Sequence, residues 1–123
     1  MDEYRKGWAL RYLREARAEL AAARKMPYMA PSLFLEAIKK ARNAIYYSLG
    51  DPAFVETVIR ETAEKMRTID DPVLKFLVEI EATIQQLTQV EEVDGEKAMK
   101  QADNLVQLAS DIVETLTGEK TEE

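Results

Sequence analysis

Apolar residues in this chain recur every third or fourth position almost from one end to the other, and no stretch alternates apolar with polar residues. Positions three and four apart share one face of an α-helix, whereas a half-buried strand needs a period of two. The spacing therefore predicts an all-α chain of five helices. A first helix over about 2–25 aligns Ala9, Leu13, Ala16, Leu20 and Ala23. A second, over about 32–49, aligns Leu35, Ile38, Arg42, Ile45 and Leu49 beside a row of Ala37, Ala41 and Ala44. The third, about 52–69, carries Val55, Val58, Ile59, Thr62, Met66 and Ile69, and the fourth, about 72–90, carries Val73, Phe76, Leu77, Ile80, Ile84 and Leu87. A fifth, about 95–117, runs Ala98, Ala102, Leu105, Ala109, Ile112 and Leu116 in alternating fours and threes.

The helix boundaries are marked by residues with a local reason to be there. Asp51-Pro52 and Asp71-Pro72 each place an N-cap acceptor before a proline at the first helical position, where the missing proline N–H costs nothing. Gly50 and Gly118 stand where a left-handed C-terminal residue is wanted. Pro27 and Pro31 bracket a short linker, MPYMAPS. The remaining connections, GD, DD and EEVDG, are also short, and short connections make sequential helices antiparallel neighbours. The expected architecture is an up-and-down bundle of four to five antiparallel helices. One domain over 1–118 is expected, followed by a frayed acidic tail, EKTEE, at 119–123.

A chain of 123 residues is one domain by length and can bury a real core. Hydrophobic residues at 46% and charged residues at 33% fit a folded helical domain and argue against wholesale disorder. The absence of cysteine excludes disulfide and thiol chemistry, and the absence of histidine removes the commonest general base and metal ligand. The start, MDEYRKGWALRYLREAR, has no apolar signal core, and no run approaches a membrane span, so a cytoplasmic location is expected. Abundant Glu, Lys and Arg with few Asn leans toward a thermophilic source.

Charge is laid out unevenly. Residues 1–25 hold seven cations against four anions, a surplus of +3, while residues 89–123 hold three against ten, a surplus of −7. Arginines and aromatics interleave along the first helix, and Arg5, Lys6, Arg11, Arg14 and Arg17 could contact a nucleic acid. Against that reading stands neutralisation inside the fold: Arg14, Arg17 and Arg24 lack an acid at helical spacing, and the fifth helix offers Asp103, Asp111 and Glu114. A chain pI near 4.8 also disfavours phosphate-backbone binding.

The alanine row of the second helix promises a close approach of another backbone. It faces either sister helices, with the second helix at the centre of the bundle, or a second subunit in a homodimer. The contact of a homodimer is expected to use the surface of the first two helices. Trp8, Tyr12, Tyr28, Phe34 and Tyr46 are the candidate anchors there, together with Ala37, Ala41 and Ala44.

Catalytic motifs are sparse. Glu61 and Glu64 form an E-x-x-E of the kind that holds Mg²⁺ in all-α pyrophosphatases, but both fall off the apolar row of their helix. The loop Glu91-Glu92-Val93-Asp94-Gly95-Glu96 lacks the spacing of a calcium loop. No phosphate loop, dinucleotide fingerprint or nucleophile elbow is present. Neither an enzymatic activity nor a cofactor is expected, and a Mg-dependent hydrolase is the remotest alternative.

LREARAELAAARK followed by SLFLEAIKKARNAIYYSLGD, about a quarter of the chain, resembles the HEPN family of small prokaryotic helical bundles. The likeness is one of helical texture. It implies an all-α bundle, often dimeric, which in some members is a non-catalytic partner of a nucleotidyltransferase-like protein or a nucleic-acid ligand. Members active as ribonucleases carry an R-x4–6-H motif in a late helix. Here there is no histidine, and no arginine follows Arg67, so no catalytic residue is carried over. The reading that results is a non-enzymatic interaction module, homodimeric, with nucleic-acid binding as the alternative.

Overall fold

The two aspartate–proline pairs start helices as their chemistry requires. In the structure, a computed structural model that describes residues 2–64, 71–89 and 95–119, Asp51 Oδ1 accepts from the amides of Ala53 (3.0 Å) and Phe54 (3.4 Å). Asp71 Oδ1 accepts likewise from Val73 (2.9 Å) and Leu74 (3.0 Å). Each carboxylate satisfies amides that have no partner inside the helix. The elements are α1 (Glu3–Lys25), α2 (Ala30–Leu49), α3 (Pro52–Glu64), α4 (Pro72–Gln89) and α5 (Gly95–Thr117), and the described residues contain no strand. Asp2 caps α1 by accepting from the Arg5 amide at 2.8 Å.

Two expectations about connections are corrected. MPYMAPS is not a linker: Pro27–Met29 forms one 3₁₀ turn, and α2 begins at Ala30 with Pro31 in its first turn. A proline there loses no helical hydrogen bond, so the residue that reads as a bracket is a helix start. Gly50 has φ 168°, extended backbone open to any residue, although its amide still closes α2 on Tyr46 O at 3.0 Å. Gly118 does adopt the left-handed conformation, at φ 74°. The expected helical residues 65–69 and 90, the acidic loop at 91–94 and the tail at 120–123 lie outside the described residues.

Helix α2 is central because it is apolar around most of its circumference. Ala30, Phe34, Ala37, Ile38, Ala41, Ala44, Ile45 and Tyr46 are all buried, with α1 and α5 on one side and α3 and α4 on the other. Alanine rows recur in the three helices that pack most closely. Ala9, Ala16 and Ala23 of α1 and Ala98, Ala102 and Ala109 of α5 join Ala37, Ala41 and Ala44 in the core. Small side chains let the backbones approach, and Leu13, Ile38, Ile45 and Val113, fully buried between them, fill the spaces. Each such large side chain contributes about 1.5–3 kcal/mol by leaving water.

Side-chain links set the helix directions. Lys40 reaches Glu19 (2.5 Å) and Trp8 stacks on Tyr47, so α1 and α2 are antiparallel. Arg24 pairs with Asp103 and Lys6 with Glu119, so α5 is antiparallel to α1. Val55 lies beside Gly50, and Ile59 shares a cleft with Tyr46, so α3 folds back along α2. Leu74 and Leu77 share a groove with Leu49, and Glu81 meets Tyr46 and Arg42, so α4 runs against α2 as well. Helices α3 and α4 therefore point the same way, which corrects the expected strict alternation. The short-connection rule holds for Gly50-Asp51, whereas residues 65–70 separate the described ends of α3 and α4.

The apolar rows need one further correction. On α5 the buried face is Ala98, Ala102, Val106, Ala109, Ser110 and Val113, with Leu105 and Ile112 half-buried and Leu116 exposed. The helix lies against both α1 and α2, so two neighbours rather than one seam set the covered face. Leu49, placed in the core row of α2 by its spacing, is exposed for the same non-local reason.

Candidate interaction surfaces

The cations of α1 are mostly engaged within the chain. Arg24 Nη2 bonds Asp103 Oδ1 at 2.7 Å, Lys6 Nζ meets Glu119 Oε1 at 2.8 Å, and Arg17 donates to the buried Ser110 hydroxyl. The Lys6–Glu119 hydrogen bond raises the lysine pKa and lowers that of the glutamate. Arg5 sits 3.4 Å from Asp2 and Arg11 3.6 Å from Glu15. Of the expected partners on α5, Asp103 takes Arg24, while Asp111 accepts from Gln107 (3.1 Å) and Glu114 from Ser110 (3.4 Å). Arg14 is exposed and has no ion-pair partner among the described residues. These exposed pairs are screened by water and stabilise little; two of them, Arg24–Asp103 and Lys6–Glu119, cross between α1 and the α5 end of the chain.

Trp8 and Tyr12 come together, joined by two residues absent from the sequence-derived set. Trp8 lies 5.7 Å from Tyr12 and 6.1 Å from Tyr47, Tyr12 stacks on Tyr47 at 5.7 Å, and Tyr4 meets Trp8 edge-on at 6.4 Å. The Arg11 guanidinium covers the Trp8 ring at 4.9 Å. One-turn spacing places Tyr4, Trp8 and Tyr12 on one stripe of α1, and the antiparallel run of α2 brings Tyr47 across to it. Partial burial within the stack raises the Tyr47 pKa. Such an array seals the α1–α2 seam, and aromatic pairs of this geometry add about 0.5–1.5 kcal/mol beyond their burial.

The other candidate anchors separate. Phe34 and Tyr46 are buried inside the chain, as are Ala37, Ala41 and Ala44, so these five face sister helices and offer no surface to a second subunit. Tyr46 donates to Glu81 Oε1 at 2.8 Å, and Arg42 approaches the same oxygen at 3.3 Å, which ties α2 to α4 through a half-buried ion pair. Burial, reinforced by Glu81, pushes the Tyr46 hydroxyl pKa well above its ordinary value. Lys40, whose hydrogen bond to Glu19 raises its pKa, holds α1 to α2, although Glu19 Oε2 is buried with no hydrogen-bond donor among the described residues. Tyr28 lies in the 3₁₀ turn, 81% exposed beside the exposed Met29.

One open apolar surface was not among the candidates. Leu49, Phe54, Val55, Val58, Ile59, Val73, Leu74, Leu77 and Leu116 line a groove of about 410 Å³, and among the described residues Asp71 is the one charged residue of the lining. Phe54 is 69% exposed, Leu49 42% and Leu116 39%. The sequence held one signal: Phe54 precedes Val55, so α3 carries a large aromatic off the row that its neighbours bury.

Among the described residues no group of three or more His, Cys, Asp or Glu is placed to hold a metal ion. Glu61 and Glu64 are both exposed on α3, and Glu91 and Asp94, an E-x-x-D that could complement them, lie outside the described residues. No described helix is long and apolar enough to cross a membrane. Comparison with models of known protein families, with curated proteins and with solved structures finds no match to this chain.

Proposed function

We propose that this chain is a non-enzymatic protein-interaction module that works as a homodimeric helical bundle. The observation that supports it is the groove between α3 and α4. Leu49, Phe54 and Leu116 are among the most exposed large apolar side chains of the described residues, and they converge on one concave surface whose described lining holds a single charge, Asp71. Exposed apolar side chains scattered singly need no explanation, whereas a contiguous patch marks a place where something binds. The expected dimer fits the resemblance to HEPN bundles. A non-catalytic role fits a chain with neither histidine nor cysteine.

Size exclusion with light scattering, with absorbance and refractive index read together, tests the proposal on the untagged protein. The expected result is twice the chain mass of 14.0 kDa, free of nucleic acid, and unchanged between low and high salt. A monomer at about 100 µM, well above the dissociation constants of specific associations, overturns the dimer.

A second reading, a nucleic-acid-binding bundle, is favoured by the aromatic array with Arg11 stacked on Trp8 and by Arg14, three residues further on, which has no ion-pair partner among the described residues. It draws on Arg5, Lys6, Arg11, Arg14 and Arg17. It predicts a peak that carries nucleic acid and an affinity that falls by about one logarithmic unit per phosphate contact for each tenfold rise in salt. The pairs already made by Arg5, Lys6 and Arg11 count against it.

A further inference from the structure

We propose that the aromatic array on the α1–α2 seam is a redox relay, which moves a one-electron oxidation of Trp8 out to the exposed Tyr4. The relay works within one chain and is independent of the interaction reading above. Four rings stand in one contact network: Trp8 lies 5.7 Å from Tyr12 and 6.1 Å from Tyr47, and Tyr4 meets it edge-on at 6.4 Å. Rings in contact are the geometry in which an electron crosses between side chains. Trp8 is the sole tryptophan, and the chain has no cysteine whose thiol could take up an oxidising equivalent.

A diffusible one-electron oxidant, such as the azide radical, takes an electron from the half-buried Trp8 and leaves as an anion. The Arg11 guanidinium, 4.9 Å over the indole, disfavours a positive charge there, so the oxidised ring sheds its Nε1 proton to water. Tyr4 then gives an electron to the neutral indolyl radical. Its phenolic proton goes to water, a proton returns from water to Trp8 Nε1, and Tyr4 is left as a neutral phenoxyl radical. At neutral pH a phenol is oxidised more easily than an indole, provided that its proton can leave. That condition selects Tyr4, 68% exposed, over Tyr12 and Tyr47, which are half-buried and stacked on each other at 5.7 Å. Desolvation raises the Tyr47 pKa, which holds its proton in place. A small reductant such as ascorbate returns a hydrogen atom to Tyr4 at the surface, and Trp8 is spared.

The test generates azide radicals by pulse radiolysis in solutions of the full chain, of Tyr4→Phe and of Tyr28→Phe, and follows the indolyl and tyrosyl absorptions in time. Tyr28 is an exposed control beyond the far end of α1, about 25 Å from Trp8 by helix rise. In the wild type and in Tyr28→Phe the indolyl signal should decay at a rate independent of protein concentration, with a matching tyrosyl rise. In Tyr4→Phe that rise should be lost. An indolyl radical that persists in the wild type, or that decays in proportion to protein concentration, overturns the relay. A tyrosyl rise retained in Tyr4→Phe overturns Tyr4 as its end. Peptide mapping after steady oxidation without a reductant gives a second reading. The oxidised product should sit on Tyr4 in the wild type and on Trp8 in Tyr4→Phe; product on Trp8 alone in both overturns the proposal.

Discussion

Replacing Ala41 by leucine puts an isopropyl group where a hydrogen stands, at a side chain with no exposed surface. Ala41 lies in the middle of its row on the helix that packs against all four others. Protein interiors are packed to the density of organic crystals, so the added volume has no void to enter. The spacing between α2 and a neighbouring helix must widen, or the leucine and its neighbours must leave their preferred rotamers. Overpacking of this kind costs about 1–3 kcal/mol. In a chain of this size a loss of about 1 kcal/mol lowers Tm by about 4 °C, so the expected drop is about 4–12 °C in a circular-dichroism melt. Ala21→Leu makes the same chemical change at an exposed site on α1 and should stay within about 0.5 kcal/mol of the wild type. If Ala41→Leu melts with the wild type, the alanine row is not a close-packed contact and this account of the core fails.

Tyr46→Phe removes a donor to Glu81 but leaves Arg42 beside that carboxylate, so it should cost about 1 kcal/mol in a urea titration. The folded Tyr46 pKa is raised. Its neutral form therefore stabilises the fold fully below the unfolded tyrosine value of about 10, and the contribution is lost as pH rises above it. Alkaline melts of Tyr46→Phe should show a shallower decline than the wild type; parallel curves would deny the buried phenol. At the acid end, Asp2 is lowered chiefly by its bond from the Arg5 amide and Glu119 by Lys6. Their contributions are present above the ordinary carboxylate range and disappear as pH falls through the lowered folded values. Asp2→Ala should accordingly destabilise at neutral pH and make no difference in strong acid. Trp8 is the sole tryptophan and stacks on Tyr47, so Tyr47→Ala should shift its emission to longer wavelength as water reaches the ring; an unshifted spectrum would contradict the stack.

Helix content and helix starts were legible from sequence because their causes are local. An aspartate reaches amides two or three residues on, a proline fixes its own φ, and apolar spacing needs only the turns on either side. Asp51, Asp71 and the C-terminal end of α5 are placed as local rules require. The central position of α2 was legible too, since a helix apolar on nearly every side has to be enclosed. Which side chains remain uncovered is a different matter, because it depends on where the other helices lie. Phe54 and Val55 are adjacent and both apolar, yet one is 69% exposed and the other 9%. Phe34 and Tyr46, read as possible surface anchors, are enclosed, while Leu49 and Leu116, read as core, border the groove. The shared direction of α3 and α4 is equally non-local: helical period carries no sign of which way the next helix runs. The sequence by itself determined an all-α chain with a small-residue core around its second helix. Only the tertiary structure decided which apolar face was left open, because burial is a property of neighbours distant in the chain.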